Sequence, residues 1–396
     1  MNTIAKHHNN STPNDFLLAL LLYLPTLYFM PAAGNLLAIL FFLFFSRQQP
    51  VYRRDIFLVI FIIAALINMT IGLPKHSDGR LEVLFSVLFI FPCVWIGRSL
   101  NHQILKYFLF FTLLECLIVL YEVANHQTVL FANQLVTADE TAISSLPNDL
   151  FYYFRPFGLS SNSSIISLKI FVAILITLFL FDRIKFPKST LTGLYLSCAL
   201  TFNRTVMGIA LALGFYIYMK HVFSIRRSGG KILLHLMVIS TVVIVTILLW
   251  NDAIFQITRG GGSTSMLLAG RPEIWSAATS FISEHPFLGN NSFSFRVMIE
   301  GKLFHCHNSF LQLYATHGVI GLILLIYITL KIRYKNLLFI LPIIIFSLTQ
   351  YGVFWNFSYL DVIFYFFLDW NESRLGSASH GRDVLANGSL SQLTIA

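Results

Sequence analysis

The residues best suited to acid–base chemistry lie in the segment FHCHNSFLQLYATHGVIGL, residues 304–322. A polar loop enters an apolar stretch there, and Asn308 or Ser309 is suited to the N-cap of the helix that begins. His307 would then lie at the positive end of this helix, which disfavours imidazolium and leaves a neutral ring able to accept a proton. The simpler alternative is a polar histidine at a membrane interface.

A metal site is a second alternative for the same segment. His305, Cys306 and His307 cluster in the sequence, and His285 precedes them. The H-C-H spacing is not a standard zinc pattern, and no second pair of ligands follows. The sequence therefore predicts neither a metal ion nor a cofactor.

Three arginines on separate loops could hold an anion together: Arg155, Arg204 and Arg271. Arg204 is the most informative because it lies between two apolar stretches with almost no loop, and a charge at the edge of a helical bundle is costly without an anionic partner. Planar guanidinium groups match phosphate oxygens with two parallel hydrogen bonds, so the three arginines suit a diphosphate. Alternatively, Arg204 simply extends to the membrane interface.

Arg271 belongs to the segment GRPEIWSAATSFISEHPFLG, residues 270–289, which predicts a short amphipathic helix. Pro272 suits the first helical position, Glu273 favours the positive N-terminus, and His285 before a proline marks the end. Such a helix could lie on the membrane surface. It could also pack on the protein and leave Arg271 merely solvated.

Glu115 in the fifth predicted span and Asp361 in the twelfth are carboxyl groups within apolar stretches. An ionisable group within a membrane helix is a candidate for proton relay. A lone carboxyl near a helix end is more often structural, so neither residue is assigned to the site.

A membrane-embedded helical bundle must position all of these residues. The chain has 396 residues, of which 56% are hydrophobic and only 11% charged, and its mean hydropathy is +0.72. A membrane-spanning helix needs roughly 20 apolar residues, so about twelve such helices account for most of the chain. This composition predicts an all-α polytopic membrane protein and excludes a large soluble catalytic domain.

The predicted organisation is a single transmembrane domain, residues 1–370, followed by a disordered cytoplasmic tail, residues 371–396. Two long loops, about 125–163 and 251–307, are predicted on the side opposite the cytoplasm, and the second contains the amphipathic helix. The twelve spans are predicted near residues 16–31, 33–46, 56–73, 81–97, 107–124, 164–181, 189–203, 205–219, 232–250, 308–330, 336–355 and 357–370.

The basic residues indicate one orientation of these spans. If the N-terminus is cytoplasmic, the even-numbered turns hold most of the lysines and arginines, as the positive-inside rule requires. The C-terminus is then also cytoplasmic. The net charge of +9 is thus a signal of topology, and no nucleic-acid partner is expected. The four cysteines indicate no disulfide framework.

In these segments the sequence resembles the O-antigen ligase and O-antigen polymerase superfamily, integral membrane glycosyltransferases of bacterial surface polysaccharide assembly. The resemblance covers residues 150–330 and depends on the order and sidedness of four segments. They are R-x-F-G-x-x-x-N at Arg155 to Asn162, N-R-T at Asn203 to Thr205, G-R-P-E-I-W with H-P-F-L-G at 270–289, and H-x-H-N followed by G-x-x-G at 305–321.

The resemblance implies a glycan donor on undecaprenyl diphosphate and transfer to an acceptor hydroxyl without a metal. Arg271 and Arg204 would bind the diphosphate leaving group with help from Arg155, and His307 would activate the acceptor as a base. Possible secondary residues are His305, Asn308 and Glu273. Direct attack would invert the anomeric carbon. The implied location is the bacterial inner membrane, among membrane lipids, with the active site facing the periplasm.

The acceptor is lipid A core in the ligases and another lipid-linked repeat unit in the polymerases. R-P-E-I-W with H-x-H-N favours a ligase, while polymerase and related protein O-glycosyltransferase activities stay open. The chain departs from the family pattern at Asn290 and Asn291, where a Gly-x-Gly is usual, and at Thr316 and His317, where an acidic residue is usual. These departures concern acceptor contacts.

A transporter or flippase is the alternative outside enzymes, but it predicts a charged central cavity and two similar halves.

Overall fold

In the computed structural model of the chain, the long apolar stretches form helices, because in hydrocarbon each backbone N–H and C=O must be satisfied within its own segment. The structure describes residues 13–28, 32–45, 52–72, 81–125, 127–129, 156–160, 163–201, 203–224, 271–291, 295–299, 302–350, 352–354 and 358–370. The α-helices within these ranges are α1 Pro13–Tyr23, α2 Ala32–Phe45, α3 Asp55–Gly72, α4 Leu81–Ser99, α5 His102–Asn125, α6 Ser163–Phe179, α7 Pro187–Leu200, α8 Arg204–Ser224, α9 Arg271–Glu284, α10 Ser309–His317, α11 Ile320–Lys331, α12 Leu337–Thr349 and α13 Tyr359–Asp369.

Short 3₁₀ turns and one hairpin complete the described structure. The 3₁₀ turns are Leu24–Thr26, Phe181–Arg183 and Tyr334–Asn336. Strands β1 Val297–Ile299 and β2 Lys302–Phe304 pair antiparallel, with Val297 opposite Phe304.

The protein is mostly helical and has the apolar helices of a membrane protein. By length and composition, α3 and α5 can each cross a bilayer, and a third span is obtained if α11 and residues Tyr334–Thr349, which meet at a bend of 97°, count as one. Shorter apolar helices lie in α1, α2, α4, α6 and α8. Eleven of the twelve predicted spans overlap described helices, and the span at 232–250 lies outside the described residues, as does the tail at 371–396. The number of twelve membrane crossings stays a prediction.

The predicted span at 308–330 is wrong as a single helix. It consists of α10 and α11, which are separated at Gly318, where φ is +59° and the amide donates to the Tyr314 carbonyl. A left-handed glycine ends a helix in this way because glycine has no Cβ to clash.

An ion-pair cluster closes one end of the bundle, which we call the Asp369 end. Arg98 lies 2.6 Å from Asp55 and 2.5 Å from Asp369. Lys331 lies 2.9 Å from Asp369 and 3.2 Å from Asp55. The cluster joins α3, α4, α11 and α13, and its side chains are almost fully buried. Their charges are therefore compensated where four helices meet.

We call the opposite end of the bundle the His307 end. The helices that start or end at the ion-pair cluster have their other termini there. Asn68, near the end of α3, donates to the Leu288 carbonyl at 2.9 Å. Phe179 packs on Trp370 beside the Asp369 end, so α6 begins at the His307 end and α7 returns to it. Helix α8 therefore begins with Arg204 at the same end as the loop that precedes α10.

Helix α13 is the centre of the bundle, with every residue from Tyr359 to Leu368 buried. It packs closely on α4 at Gly97, where an added Cβ would lie 2.7 Å from the Val362 carbonyl oxygen and 2.9 Å from the Phe366 amide. Both neighbours are backbone atoms, which cannot rotate away. Gly97 therefore sets the distance between the two helices.

Gly97→Leu is expected to lower the free energy of unfolding by about 3 kcal/mol, because overpacking forces the two backbones apart. Thermal unfolding of the purified protein in detergent measures the change. The matched control is Gly193→Leu on α7, where nothing lies within 4 Å of an added Cβ. Equal midpoints for the two variants would contradict this account of the α4–α13 contact.

Candidate active site

Helix α9, the hairpin and the loop before α10 form a small unit at the His307 end with its own apolar core. The core consists of Ile274, Ala278, Phe295, Val297, Cys306 and Ala315. Helix α9 thus lies where the amphipathic helix was predicted, and its buried side packs on β1 and α10.

A hydrogen bond connects α9 to the loop that carries His307. Trp275 Nε1 donates to the Cys306 carbonyl at 2.7 Å. Arg271 is the first residue of α9 and lies one turn before Trp275 on the same side of the helix. The indole therefore fixes the start of α9, and with it Arg271, beside residue 307.

The loop itself is held by a buried glutamine. Gln312 Oε1 accepts from the Cys306 amide at 2.9 Å, and its Nε2 donates to the Phe295 carbonyl at 2.7 Å. His307 has a φ of +48°, which is uncommon for a residue with a side chain and often marks a functional constraint. The fixed backbone on either side determines where its ring points.

Asn308 is the N-cap of α10, one of the two candidates the sequence offered. Its Oδ1 accepts from the amides of Phe310 and Leu311, each at 3.0 Å. Ser309 Oγ accepts from the amides of Gly352 and Val353 at 2.9 and 3.1 Å, which ties the start of α10 to the loop after α12. His307 therefore lies directly before a capped helix N-terminus, as predicted.

The electrostatics of the loop favour a neutral His307. The pKa of the imidazole is lowered from its usual value, first because the ring is partly buried and second because the Arg271 guanidinium repels the imidazolium. At neutral pH the ring is thus unprotonated and can accept a proton. Arg271 and His307, predicted from separate segments, are brought together.

Cys306 behaves differently from its two histidine neighbours. Burial raises the pKa of its thiol to about 12, so it is protonated at neutral pH, whereas metals bind the thiolate. Among the residues the structure describes, no three His, Cys, Asp or Glu side chains lie close enough to share a metal ion.

The H-P-F-L-G and G-x-x-G segments pair with each other. The Val319 amide donates to the Phe287 carbonyl at 3.1 Å, and the Asn290 amide donates to the Ala315 carbonyl at 2.8 Å. Gly289 and Gly318 both have positive φ and face each other at the crossing. An added Cβ on Gly318 would lie 2.7 Å from the Gly289 amide and would overlap the Phe287 carbonyl. These motifs thus join α9 to the break between α10 and α11.

Gly318→Ala is expected to lower the free energy of unfolding by about 2–4 kcal/mol, because it combines a strained φ with a backbone overlap. The same variant should also lose the glycan transfer that the family resemblance implies, since the His307 loop leads directly into α10. Thermal unfolding and a membrane transfer assay measure the two effects. Gly208→Ala on α8, with open space at its Cβ, is the control. Wild-type behaviour of Gly318→Ala would refute the proposed backbone crossing.

Arg155 lies outside the described residues, but the turn that follows it is held by two carboxylates. Glu122 Oε2 accepts from the amides of Phe157 and Gly158, both at 2.8 Å. Glu115 Oε1 accepts from the Leu159 amide at 2.8 Å. The R-x-F-G segment is thus fixed from residue 157 onward at the His307 end.

Glu115 also forms a buried ion pair that the sequence analysis did not identify. Lys169 Nζ lies 2.5 Å from Glu115 Oε2, and both side chains are at most 1% exposed. The Tyr23 hydroxyl donates to the same carboxylate. Lys169 lies 54 residues after Glu115 on a different helix, so no local spacing connects the two residues. The one signal in the sequence is a charged residue within an apolar stretch.

The remaining predicted residues have local roles. Asn203 Oδ1 accepts from the Val206 amide at 3.2 Å and caps α8, whose first residue is Arg204. Asp361 accepts from Ser358 and from the Phe354 amide, as a structural carboxyl does. Glu273 is exposed in the first turn of α9, and His305 is partly buried in the loop.

A known protein family matches the part of the chain that contains this site. A family model described as O-antigen ligase matches residues 189–326, about a third of the chain. No curated protein matches the sequence. The matched region runs from α7 into α11 and includes Arg204, Arg271 and His307. The resemblance to the O-antigen ligase and O-antigen polymerase superfamily is therefore confirmed, with the O-antigen ligase family region at residues 189–326.

Proposed function

We propose that the chain is a membrane glycosyltransferase that moves a glycan from undecaprenyl diphosphate to an acceptor hydroxyl at the His307 end of the bundle. The observation that carries this proposal is the hydrogen bond from Trp275 to the Cys306 carbonyl, which places the start of α9, and so Arg271, beside the partly buried His307. The Arg271 charge accordingly lowers the pKa of this imidazole, after the effect of burial. One group suits a phosphorylated leaving group and the other suits a hydroxyl that must lose a proton. The family match over the same residues supports this pairing.

In the proposed reaction the acceptor oxygen attacks the anomeric carbon of the donor glycan. The bond from that carbon to the diphosphate oxygen breaks, and its electron pair stays on the diphosphate. His307 takes the acceptor proton, which makes the hydroxyl a better nucleophile. Attack opposite the leaving group inverts the anomeric configuration.

The arginines act on the leaving group. Negative charge grows on the diphosphate as the bond breaks, so a guanidinium positioned there stabilises the transition state more than the ground state. Arg271 takes this role, with Arg204 at the start of α8 and Arg155 as further diphosphate contacts. No metal is needed, because guanidinium groups neutralise the diphosphate.

The proposed setting is the bacterial inner membrane with twelve spans, the His307 end in the periplasm and both termini in the cytoplasm. Exposed basic residues at the Asp369 end support this orientation under the positive-inside rule. They include Arg53, Arg54, Arg183, Lys185, Lys188 and Arg333.

Within the family the proposed activity is that of a ligase with lipid A core as the acceptor. A deletion strain tests this choice by gel analysis of its lipopolysaccharide. Free core together with accumulated lipid-linked polymer is the expected result. Core with a single repeat would identify a polymerase, and an unchanged ladder would contradict both activities.

Metal independence is tested separately in purified membranes with lipid-linked donor and core acceptor. Transfer at the untreated rate after chelation with EDTA is expected. A loss that added divalent cation restores would show that the diphosphate is not neutralised by arginines alone.

A further inference from the structure

The Asp369 end contains a cavity that the proposed transfer does not use. Its volume is about 420 Å³, within the range of small-ligand sites. Its lining includes Tyr52, Arg53, Arg54, Lys331, Arg333 and Asp369. These residues come from the loop before α3, the end of α11, the turn before α12 and the end of α13, so four parts of the chain converge on it.

Among the residues that the structure describes, the charges around the cavity do not balance. Lys331 is compensated by the two aspartates of the ion-pair cluster. Arg53, Arg54 and Arg333 form no ion pair with any residue in the described ranges. Arg54 does donate to the Leu330 carbonyl, which holds its guanidinium against α11 without neutralising it. Three positive charges thus surround one opening.

The surroundings of the cavity suit a lipid. Helices α3 and α11 pack side by side, and Ile56 and Leu330, one on each helix beside the arginines, are 54% and 42% exposed. The exposed apolar side chains could contact the acyl chains of a lipid whose headgroup lies in the charged opening. Tyr334, adjacent to Arg333, is 90% exposed, and exposed tyrosines are typical of the membrane interface.

We propose that this cavity binds the phosphate group of an anionic phospholipid in the leaflet opposite the transfer site. Guanidinium groups bind phosphate oxygens with paired hydrogen bonds, and basic pockets between membrane helices hold the headgroups of anionic lipids. A soluble phosphate offers the same oxygens but has no acyl chains to contact Ile56 and Leu330 beside the opening. The site does not depend on the transfer reaction.

Binding of cardiolipin to the delipidated full-length protein in detergent tests the proposal, with native mass spectrometry to count bound lipids during a titration. The triple variant Arg53→Gln, Arg54→Gln, Arg333→Gln is expected to bind cardiolipin at least about tenfold more weakly. The matched control is Arg183→Gln, Lys185→Gln, Lys188→Gln, which removes three exposed charges from the same end outside the cavity. The control should retain binding within about twofold.

Further arms separate the possible sources of phosphate. Phosphatidylcholine should not compete, and inorganic phosphate at about 10 mM should not displace cardiolipin if acyl chains contribute to binding. Displacement by inorganic phosphate would overturn the lipid assignment. Equal loss of binding in both triple variants would overturn it as well, because surface charge alone would then explain the affinity.

Folding is controlled by thermal unfolding of each variant. If the triple variant is unstable, the single variant Arg333→Gln provides the test, since this side chain is exposed and forms no ion pair with a described residue. It should weaken cardiolipin binding by about threefold or more. Unchanged binding by a folded cavity variant would refute the site.

Discussion

Replacing His307 by alanine is expected to reduce glycan transfer by about 10²–10⁴-fold, because the acceptor hydroxyl loses the base that removes its proton. Stability should change little, since the loop backbone is held by Gln312 and the Asn308 cap rather than by the imidazole. Transfer from lipid-linked donor to acceptor in purified membranes measures the rate. Thermal unfolding of the same preparation shows whether the variant is folded.

The pH dependence of transfer tests the role of His307 as a base. A base works in its deprotonated form, so the rate should fall as the pH decreases through the pKa of this histidine. Burial and Arg271 lower that pKa. An ordinary histidine becomes protonated at about pH 6.5, and wild-type transfer should still be close to its maximal rate somewhat below that pH.

Two substitutions of Arg271 separate its two effects. Arg271→Gln removes the neighbouring positive charge, so the pKa of His307 should rise and the acidic limb of the profile should move to higher pH. Arg271→Lys keeps the charge and should leave the limb in place, while the rate still falls because lysine lacks the paired geometry for phosphate. If the rate falls at the same pH in the wild type and in both variants, Arg271 does not influence the pKa of His307.

His305→Ala and His285→Ala are the controls for position. His305 competes for the base role from two residues away, and His285 is an exposed histidine of the same unit that packs on Phe281. Both variants should retain most of the transfer activity. If His305→Ala loses activity and His307→Ala retains it, the base has been assigned to the wrong residue.

The sequence was sufficient for features that depend on nearby residues. Apolar stretches predict helices because unpaired backbone groups are too costly in hydrocarbon. Asn308 or Ser309 is suited to the cap because a short polar side chain there reaches nearby amides, and the structure has Asn308 in this role. The sequence does not predict the helix break at Gly318, because that break depends on a residue far away in the chain. The backbone of Phe287, a residue 31 positions earlier, is what makes glycine necessary there.

The sequence also does not predict which charged residues form the buried ion pairs. Hydropathy treats Lys169, Glu115 and Asp55 as isolated charges that a span can tolerate, and nothing in their spacing states which charge meets which. Their pairing depends on how α5 packs on α6 and how α3 packs beside α4 and α11. From the sequence, the basic residues at the Asp369 end indicate only topology, whereas in the structure Arg98 and Lys331 are buried in the ion-pair cluster.

Glu115→Ala is expected to lower the free energy of unfolding by about 3–5 kcal/mol, because it leaves the Lys169 ammonium buried without a counter-charge. The same change removes the acceptor for the Leu159 amide, so the turn after Arg155 also loses support. Thermal unfolding in detergent and the yield of folded protein measure the loss. Lys169→Met should be destabilising as well, since it leaves the carboxylate buried beside Tyr23.

Two double variants distinguish the charge from the hydrogen bonds. Glu115→Gln with Lys169→Met removes both charges but keeps an oxygen for the Leu159 amide, so it should recover most of the stability and most of the transfer activity. Glu115→Leu with Lys169→Met also removes both charges but leaves the turn without its acceptor. It should be more stable than Glu115→Ala and yet transfer glycan poorly, because Glu115 no longer holds the turn at Leu159. Strictly additive losses in the first double variant would mean that the two side chains do not act as a pair, and full transfer by the second would remove Glu115 from any role in positioning the turn.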